Sequence, residues 1–292
     1  MSKTDTTTET TDGTARETEA ADEARAGDSE SEAKIHATDL RVGYPGLDDP
    51  VVDTETLVVP EGEVTALVGP NGSGKSTLLK TLARHLDADG GDVLIDGREI
   101  AEFGSKEFAR ELGMLSQHGS TPDGITVEEL VGHGRYPHKG FLEGQTEADR
   151  EAIDRAIALA GIEHLREKDV SSLSGGQRQL VRIAMALAQE TDTLLLDEPT
   201  TYLDLRHQLQ VMEVIRTLNE ERDVTVCIVL HDLTQAARFA DYLVALCDGD
   251  IYDWGRPEDV VTEELLAEVF GVEASVEYGA EPRITPKRAI DD

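Results

Sequence analysis

Gly69-Pro70-Asn71-Gly72-Ser73-Gly74-Lys75-Ser76 decides how the rest of the chain is read. These eight residues fit the pattern G-x-x-x-x-G-K-[ST]. The run before them, Val64-Thr-Ala-Leu-Val68, is short and apolar, as a buried strand is. After them, Leu78, Leu79, Leu82, Ala83 and Leu86 fall on one stripe of a helix expected over Lys75 to Leu86. A glycine-rich turn between strand and helix curls its backbone so that several N–H groups converge on a phosphate. The helix N-terminus adds partial positive charge. Lys75 reaches the outer phosphates of such a ligand, and Ser76 offers a hydroxyl to Mg2+.

Two further motifs extend that chemistry. Thr193-Leu-Leu-Leu-Asp197 reads as a buried strand, and Glu198 follows it directly. Neighbouring strand residues point to opposite sides, so the two carboxylates can do different work. Asp197 suits Mg2+ through its water shell, and Glu198 suits a general base that polarises an attacking water. A helix cap is the plainer reading of an Asp-Glu pair, and the phosphate loop upstream argues against it. Leu173-Ser174-Gly175-Gly176-Gln177 opens a helix with Leu180, Ile183, Ala184, Leu187 and Ala188 on its buried stripe. Ser174 and Gln177 have capping-box spacing. Gly175 and Gly176 are poor helix formers, yet they leave the first turn bare, and a bare helix N-terminus receives phosphate. One chain therefore carries two phosphate-binding devices: either it binds two nucleotides, or two chains each contribute half of one site.

Strand and helix patterns alternate around these motifs. Val224 to Leu230 reads as a second buried strand, Asp204 to about Glu221 as the helix between, and Tyr242 to Tyr252 as a terminal hairpin about Asp248-Gly249. Strands separated by helices imply a parallel sheet covered on both faces. From about Gly119 to Ser172 the pattern is helical only. Thr126 and Glu129 form one capping box, and Thr146 opens a second helix that Gly161 stops. The domain reading is an acidic disordered tail over 1–33, a fold over 34–276 (core 34–118 and 173–276, helical insertion 119–172), and a fraying polar tail over 277–292.

Composition bounds the partners. The 292 residues carry a net charge of −33, with 60 acidic side chains against 27 basic ones. That acidity argues against nucleic acid, which wants a basic face. Acidic residues spread along a lysine-poor chain suit a high-salt cytosol, where counter-ions screen self-repulsion. No run of about 18 apolar residues exists to span a membrane, and the first residues lack the apolar stretch of a secretory signal. Cys227 and Cys247 lie in apolar runs and read as reduced, buried thiols of a cytosolic protein. His133 and His138 match no zinc spacing and read as loop residues.

Taken together, the phosphate loop, LSGGQ at 173–177, LLLDEP at 194–199 and the later His231-Asp232 resemble the ATP-binding subunit of an ABC transporter, over about Ile35 to Val276. The resemblance implies an α/β fold: a P-loop NTPase (RecA-like) core with an N-terminal antiparallel β subdomain and an inserted α-helical subdomain. It implies a head-to-tail homodimer with ATP between the phosphate loop of one subunit and the LSGGQ of the other. Carried over by position, Gly69, Pro70, Asn71, Gly72, Ser73, Gly74, Lys75, Ser76 and Thr77 would cradle the phosphates, and Tyr44 would stack on adenine. Ser76, Asp197 and Gln117 would serve Mg2+. Glu198 would be the catalytic base, with Lys75, Gln117 and His231 beside it. Ser174, Gly175, Gly176 and Gln177 would touch the γ-phosphate from the partner, and Asp204 would cross the interface. The plain alternatives are a core or surface tyrosine at 44, a strand-end glutamine at 117 and a helix-start histidine at 231.

Within that family, Val127-Glu-Glu-Leu-Val-Gly-His-Gly-Arg-Tyr-Pro-His138 resembles the subgroup serving iron–siderophore, haem and vitamin B12 importers. Gly134 to His138 and Thr200-Thr-Tyr-Leu-Asp204 look most like the ferric siderophore members. The resemblance implies separate permease subunits, indirect work with an extracellular substrate-binding protein, no nucleic acid, and a peripheral place on the cytoplasmic face of the membrane. Vitamin B12 or haem import is the alternative cargo. A soluble ABC ATPase acting on nucleic acid or the ribosome is the alternative class; the short insertion and single ATPase unit speak against it.

Overall fold

A computed structural model describes residues 33–47, 49–117, 124–139, 144–279 and 281–290. The expected N-terminal tail lies outside them, apart from Ala33, which already belongs to the first strand. Strands β1 (Ala33–Val42), β2 (Val52–Pro60), β4 (Gly90–Ile95) and β5 (Arg98–Glu99) make an antiparallel sheet ordered β2-β1-β4-β5. The second sheet has six strands: β3 (Val64–Val68), β6 (Leu112–Leu115), β7 (Thr193–Asp197), β8 (Thr225–Val229), β9 (Tyr242–Cys247) and β10 (Asp250–Gly255), ordered β10-β9-β3-β8-β7-β6. Every pairing within it is parallel except β9 with β10. β3, β7 and β8 are buried at every residue, so their near-continuous apolar runs face helices or the other sheet on both sides.

Two hydrophobic cores follow from that sandwiching. One packs Leu78, Leu79 and Leu82 of helix α1 (Lys75–Leu82) with Ile35, Leu40 and Val59 of the antiparallel sheet, each side chain removed from water and stabilising by about 1.5–3 kcal/mol. Helix α1 stops four residues sooner than its stripe suggested, and Leu86 packs on this core from the following turn. Helix α2 (Ser105–Glu111) leads into β6.

The second core joins the six-stranded sheet to the helical insertion. There α3 (Val127–Gly132) starts at the Thr126 capping box and α4 (Glu147–Leu159) at that of Thr146. Among the described residues of 119–172 no strand forms; a single bridge ties Thr126 to Asp169. Helix α5 (Gly175–Leu187) closes against α3 and α4. Beneath the insertion, Arg135 is buried and bonds Asp149, Glu190 and the Ala188 carbonyl. His138 bonds the Gln189 carbonyl, and His133 stacks on Tyr136. These two histidines lie in a 3-10 helix, His133–His138, rather than in a loop.

Helix α6 (Leu205–Arg222) joins β7 to β8, and α7 (Leu233–Phe239) joins β8 to β9. The chain then continues through α8 (Pro257–Val260), α9 (Glu263–Glu268), β11 (Val272–Tyr278) and β12 (Pro282–Ala289). This corrects two expectations. The β9–β10 hairpin is not terminal, and the described residues of 277–292 are not a fraying tail, because β11 and β12 pair from Val272–Ala289 to Tyr278–Pro282. The reason is tertiary: Val276 and Ile284 pack on the second core, Ala274 is buried, and the Tyr278 hydroxyl donates to the Pro257 carbonyl at 2.5 Å. Cys227 is buried as expected, and burial pushes its thiol up to about 12, whereas Cys247 is half-buried at the β9 end.

Candidate nucleotide site at the carboxyl ends of the parallel strands

Leu115, Leu196, Ile228 and Ala66 stand side by side across β6, β7, β8 and β3. Two or three residues beyond that row lie Gln117, Glu198, His231 and Gly69. The shared register therefore delivers four separate segments to one edge, the carboxyl end of the sheet, where α/β folds place their ligands.

The phosphate loop is closely packed. At Gly69, φ is 146° and a Cβ would stand 2.2 Å from the Leu246 carbonyl oxygen, so only glycine fits. Lys75 is 5% exposed and folds inward, donating to the Gly69 carbonyl at 2.8 Å, the Pro70 carbonyl at 2.6 Å and Ser73 Oγ at 3.2 Å. Burial lowers the Lys75 pKa, while the charges of Glu198 and Asp197 oppose the shift. Its ammonium is thus desolvated and held by neutral carbonyls. Such a group gains when an anion replaces those partners.

The two carboxylates diverge as alternation requires. Asp197, 2% exposed, accepts from Ser76 Oγ at 2.7 Å. Glu198 turns the other way. Its Oε1 lies 2.7 Å from His231 Nε2, and its Oε2 accepts from Gln117 Nε2 at 2.5 Å and Thr201 Oγ1 at 3.0 Å. The backbone at Glu198 has φ 50°, an unusual conformation for a non-glycine residue and one that clusters at functional sites. Asn71, Gly72, Gly74, Lys75, Ser76, Thr77, Glu198 and His231 line one cleft. Tyr44 is half-exposed, and its hydroxyl lies 3.2 Å from Thr77 Oγ1, which places the ring at the far rim of the loop.

The other sequence candidates are not in that cleft. Ser174, Gly175, Gly176, Gln177 and Asp204 do not line it. Ser174 caps α5, with its Oγ accepting from Gln177 N at 3.3 Å and its own N–H donating to Gln177 Oε1 at 3.1 Å. A Cβ added at Gly175 would meet nothing within 4 Å, whereas one at Gly176 would lie 2.5 Å from the His207 ring. Asp204 caps α6, accepting from His207 N at 3.0 Å and pairing with His207 Nδ1 at 2.8 Å; these bonds hold its carboxyl below the usual range. Next to it, Tyr202 is 93% exposed with φ 63°.

Three side chains went unread in the sequence. Thr201 holds Glu198 from three residues on, a spacing that was visible. His207 fills the space behind Gly176, and its position three after Asp204 was the only clue. Arg182 donates to the carbonyls of Ser116 and Gln117, and no local pattern marks it.

A strand–glycine loop–helix bearing a desolvated lysine, a buried Ser–Asp pair and a clamped glutamate are the parts that nucleotide hydrolysis requires. Residues 52–201 match the ABC transporter family, and the chain belongs to it, as an ATP-binding subunit that hydrolyses ATP to power transport. It is 45% identical over 248 residues to the ferric enterobactin transport ATP-binding protein FepC of Escherichia coli (strain K12), covering 85% of this chain and 91% of that one. It is 42% identical over 237 residues to the iron(3+)-hydroxamate import ATP-binding protein FhuC of Bacillus subtilis (strain 168), covering 81% and 87%. The fold matches the dimeric structure of a bacterial ABC transporter cassette with a TM-score of 0.68 and 27% identity, covering 76% of this chain and 98% of that one. No helix among the described residues is long and apolar enough to cross a membrane.

Proposed function

We infer that two copies of this chain bind ATP head to tail and drive uptake of a ferric siderophore through a separate permease. The observation that carries the dimer is the division of the site. The cleft of one chain holds Lys75 and Glu198, and the bare Ser174–Gln177 turn, with open space at Gly175, lies outside it. Two half-sites facing each other complete the coordination of the outer phosphate. Gly69 to Thr77 cradle the phosphates with Lys75 at the outer pair, and Tyr44 carries the adenine. Ser174, Gly175, Gly176 and Gln177 approach the γ-phosphate from the partner, and Asp204 meets the partner beside them.

The oxygen donors of Ser76 and Asp197, 2.7 Å apart, suit a hard divalent cation, and Mg2+ is the expected ion, with Gln117 as a further ligand. When bound, it neutralises phosphate charge. Glu198 takes the proton of the attacking water. His231 and Gln117 hold its two oxygens apart in a fixed plane, which keeps one lone pair aimed into the cleft. The global field does not favour ATP, because the chain has a net charge of −33; binding rests on the preorganised donors of the loop. Loss of the γ-phosphate removes the contact that joins the subunits, and the helical insertions swing with the opening.

Siderophore cargo is supported by the named functions of the bacterial relatives, since the ATPase does not touch cargo. An extracellular binding protein would deliver it, and nucleic acid has no part. The peripheral cytoplasmic position and the high-salt origin suggested by the acidity belong to the same reading. Reconstitution with the cognate permease and binding protein in vesicles tests it. ATP-driven uptake of a ferric hydroxamate or catecholate is the expected result; uptake of a corrinoid or haem alone would reassign the cargo.

A further inference from the structure

Arg182 sits on α5 two turns beyond Ser174, half-buried, facing the carboxyl end of β6. Its guanidinium donates to the Ser116 carbonyl, to the Gln117 carbonyl at 3.3 Å and to Gln179 Oε1 at 3.2 Å. Burial lowers its pKa, and no carboxylate among the described residues offsets that. A charge kept from water with neutral acceptors alone costs stability, so packing is a poor reason for an arginine here. Its bonds run instead between two pieces of machinery. Gln179 continues the link, its Nε2 donating to the Pro199 carbonyl at 3.0 Å.

Both branches end at Glu198. Arg182 grips the backbone of Gln117, whose side chain holds Glu198 Oε2 at 2.5 Å. Gln179 grips Pro199, the residue that follows Glu198. At the other end of the same helix lies the Ser174–Gln177 turn. The helix is a rigid rod, so Gly175 and Arg182, about 10 Å apart along the axis, move together.

We propose that Arg182 is a positioning residue that carries the state of one ATP site to the other: phosphate seated on this chain's Ser174–Gln177 turn belongs to the partner's loop, and through Arg182 and Gln179 it sets this chain's own Gln117 and Glu198. The link rests on the reading that Ser174–Gln177 serves the partner's nucleotide and Glu198 is the base. It goes beyond that reading by naming the connection between two sites that share no residue. Two discrete positions of α5 are the bistable element that such coupling requires.

The test compares full-length wild type, Arg182→Met and Arg182→Lys in steady-state ATP hydrolysis across ATP concentration, well below the melting temperature of each. ATP-driven dimerisation is measured in parallel in a Glu198→Gln background. The expected wild type has a Hill coefficient above 1. R182M brings it to 1 and lowers kcat by about 10-fold, the scale of one lost charged hydrogen bond, with the ATP concentration for half-dimerisation unchanged. R182K recovers part of kcat and of the Hill coefficient. Unchanged kcat and Hill coefficient in R182M, a rise in KM alone, or a wild-type Hill coefficient of 1 each overturns the proposal. Should R182M not fold, Arg182→Gln, which keeps one donor at the same depth, carries the same comparison. Failure of the Glu198→Gln protein to dimerise with ATP would strike the underlying two-chain site instead.

Discussion

The phosphate loop and the Ser174–Gln177 turn are both glycine-rich helix starts, yet they are built differently. The first is closed: its lysine is buried, Gly69 and Gly74 pack closely on the Leu246 and Val51 carbonyls, and its neighbours are Asp197 and Glu198. The second is open: it has a capping box, no lysine, and empty space above Gly175. A helix N-terminus without a lysine is a weak receptor alone, but it suffices when the other chain supplies the charge. On the proposed reading, the closed loop would hold a nucleotide, and the open turn would report that one is held.

Glu198→Gln gives the largest effect. It keeps the shape of the clamp and removes the base, so kcat falls roughly 10²–10⁴-fold while ATP binding persists; normal steady-state turnover would show that the closed loop's carboxylate is not the base. Next in size is the footing of the open turn. Asp149→Asn leaves Arg135 buried with a weakened partner and should cost about 3–5 kcal/mol in chemical denaturation. The Asp149 carboxyl is held at about 2: burial alone would raise it, but the Thr146 N–H, the Arg135 guanidinium and the Thr146 hydroxyl outweigh that. Its contribution is therefore complete above the unfolded value near 4 and is lost as pH falls towards about 2. Wild type and Asp149→Asn should converge in stability over that interval, and a constant gap would exclude Asp149.

The two glycines of the open turn separate folding from recognition. Gly176→Ala forces a Cβ into the His207 ring and should destabilise by about 1–3 kcal/mol. Gly175→Ala has room, improves helix propensity, and should leave stability equal or raise it by up to about 1 kcal/mol, while hydrolysis falls because the methyl shields the N–H groups. Equal activity losses that merely track stability would erase the distinction. Ser174→Ala, which removes a cap, should cost about 1 kcal/mol in denaturation.

The same contrast explains what could be read in advance. The closed loop, the strand ending at Asp197 and the capping boxes at Thr126, Thr146 and Ser174 are local patterns, and local geometry followed them. The N-terminal antiparallel sheet entered through family resemblance alone, because β1 and β2 carry none of the motifs. The β11–β12 hairpin was missed because its polar, proline-containing strands carry no apolar alternation and are held by Val276 and Ile284 against a core built elsewhere. Arg182 was missed for a related reason: a charge on a helix looks solvated until the strand end it faces is known.

The central claim is that ATP joins two chains, each lacking what the other has. Mass measurement of Glu198→Gln in solution, with and without ATP, tests it directly, with Gly175→Asp added as the control because open space surrounds that position. The account predicts a monomer that doubles in mass only with ATP, and no doubling once Gly175→Asp is present. An ATP-independent mass, or full hydrolysis by a monomeric Gly175→Asp chain, would contradict it.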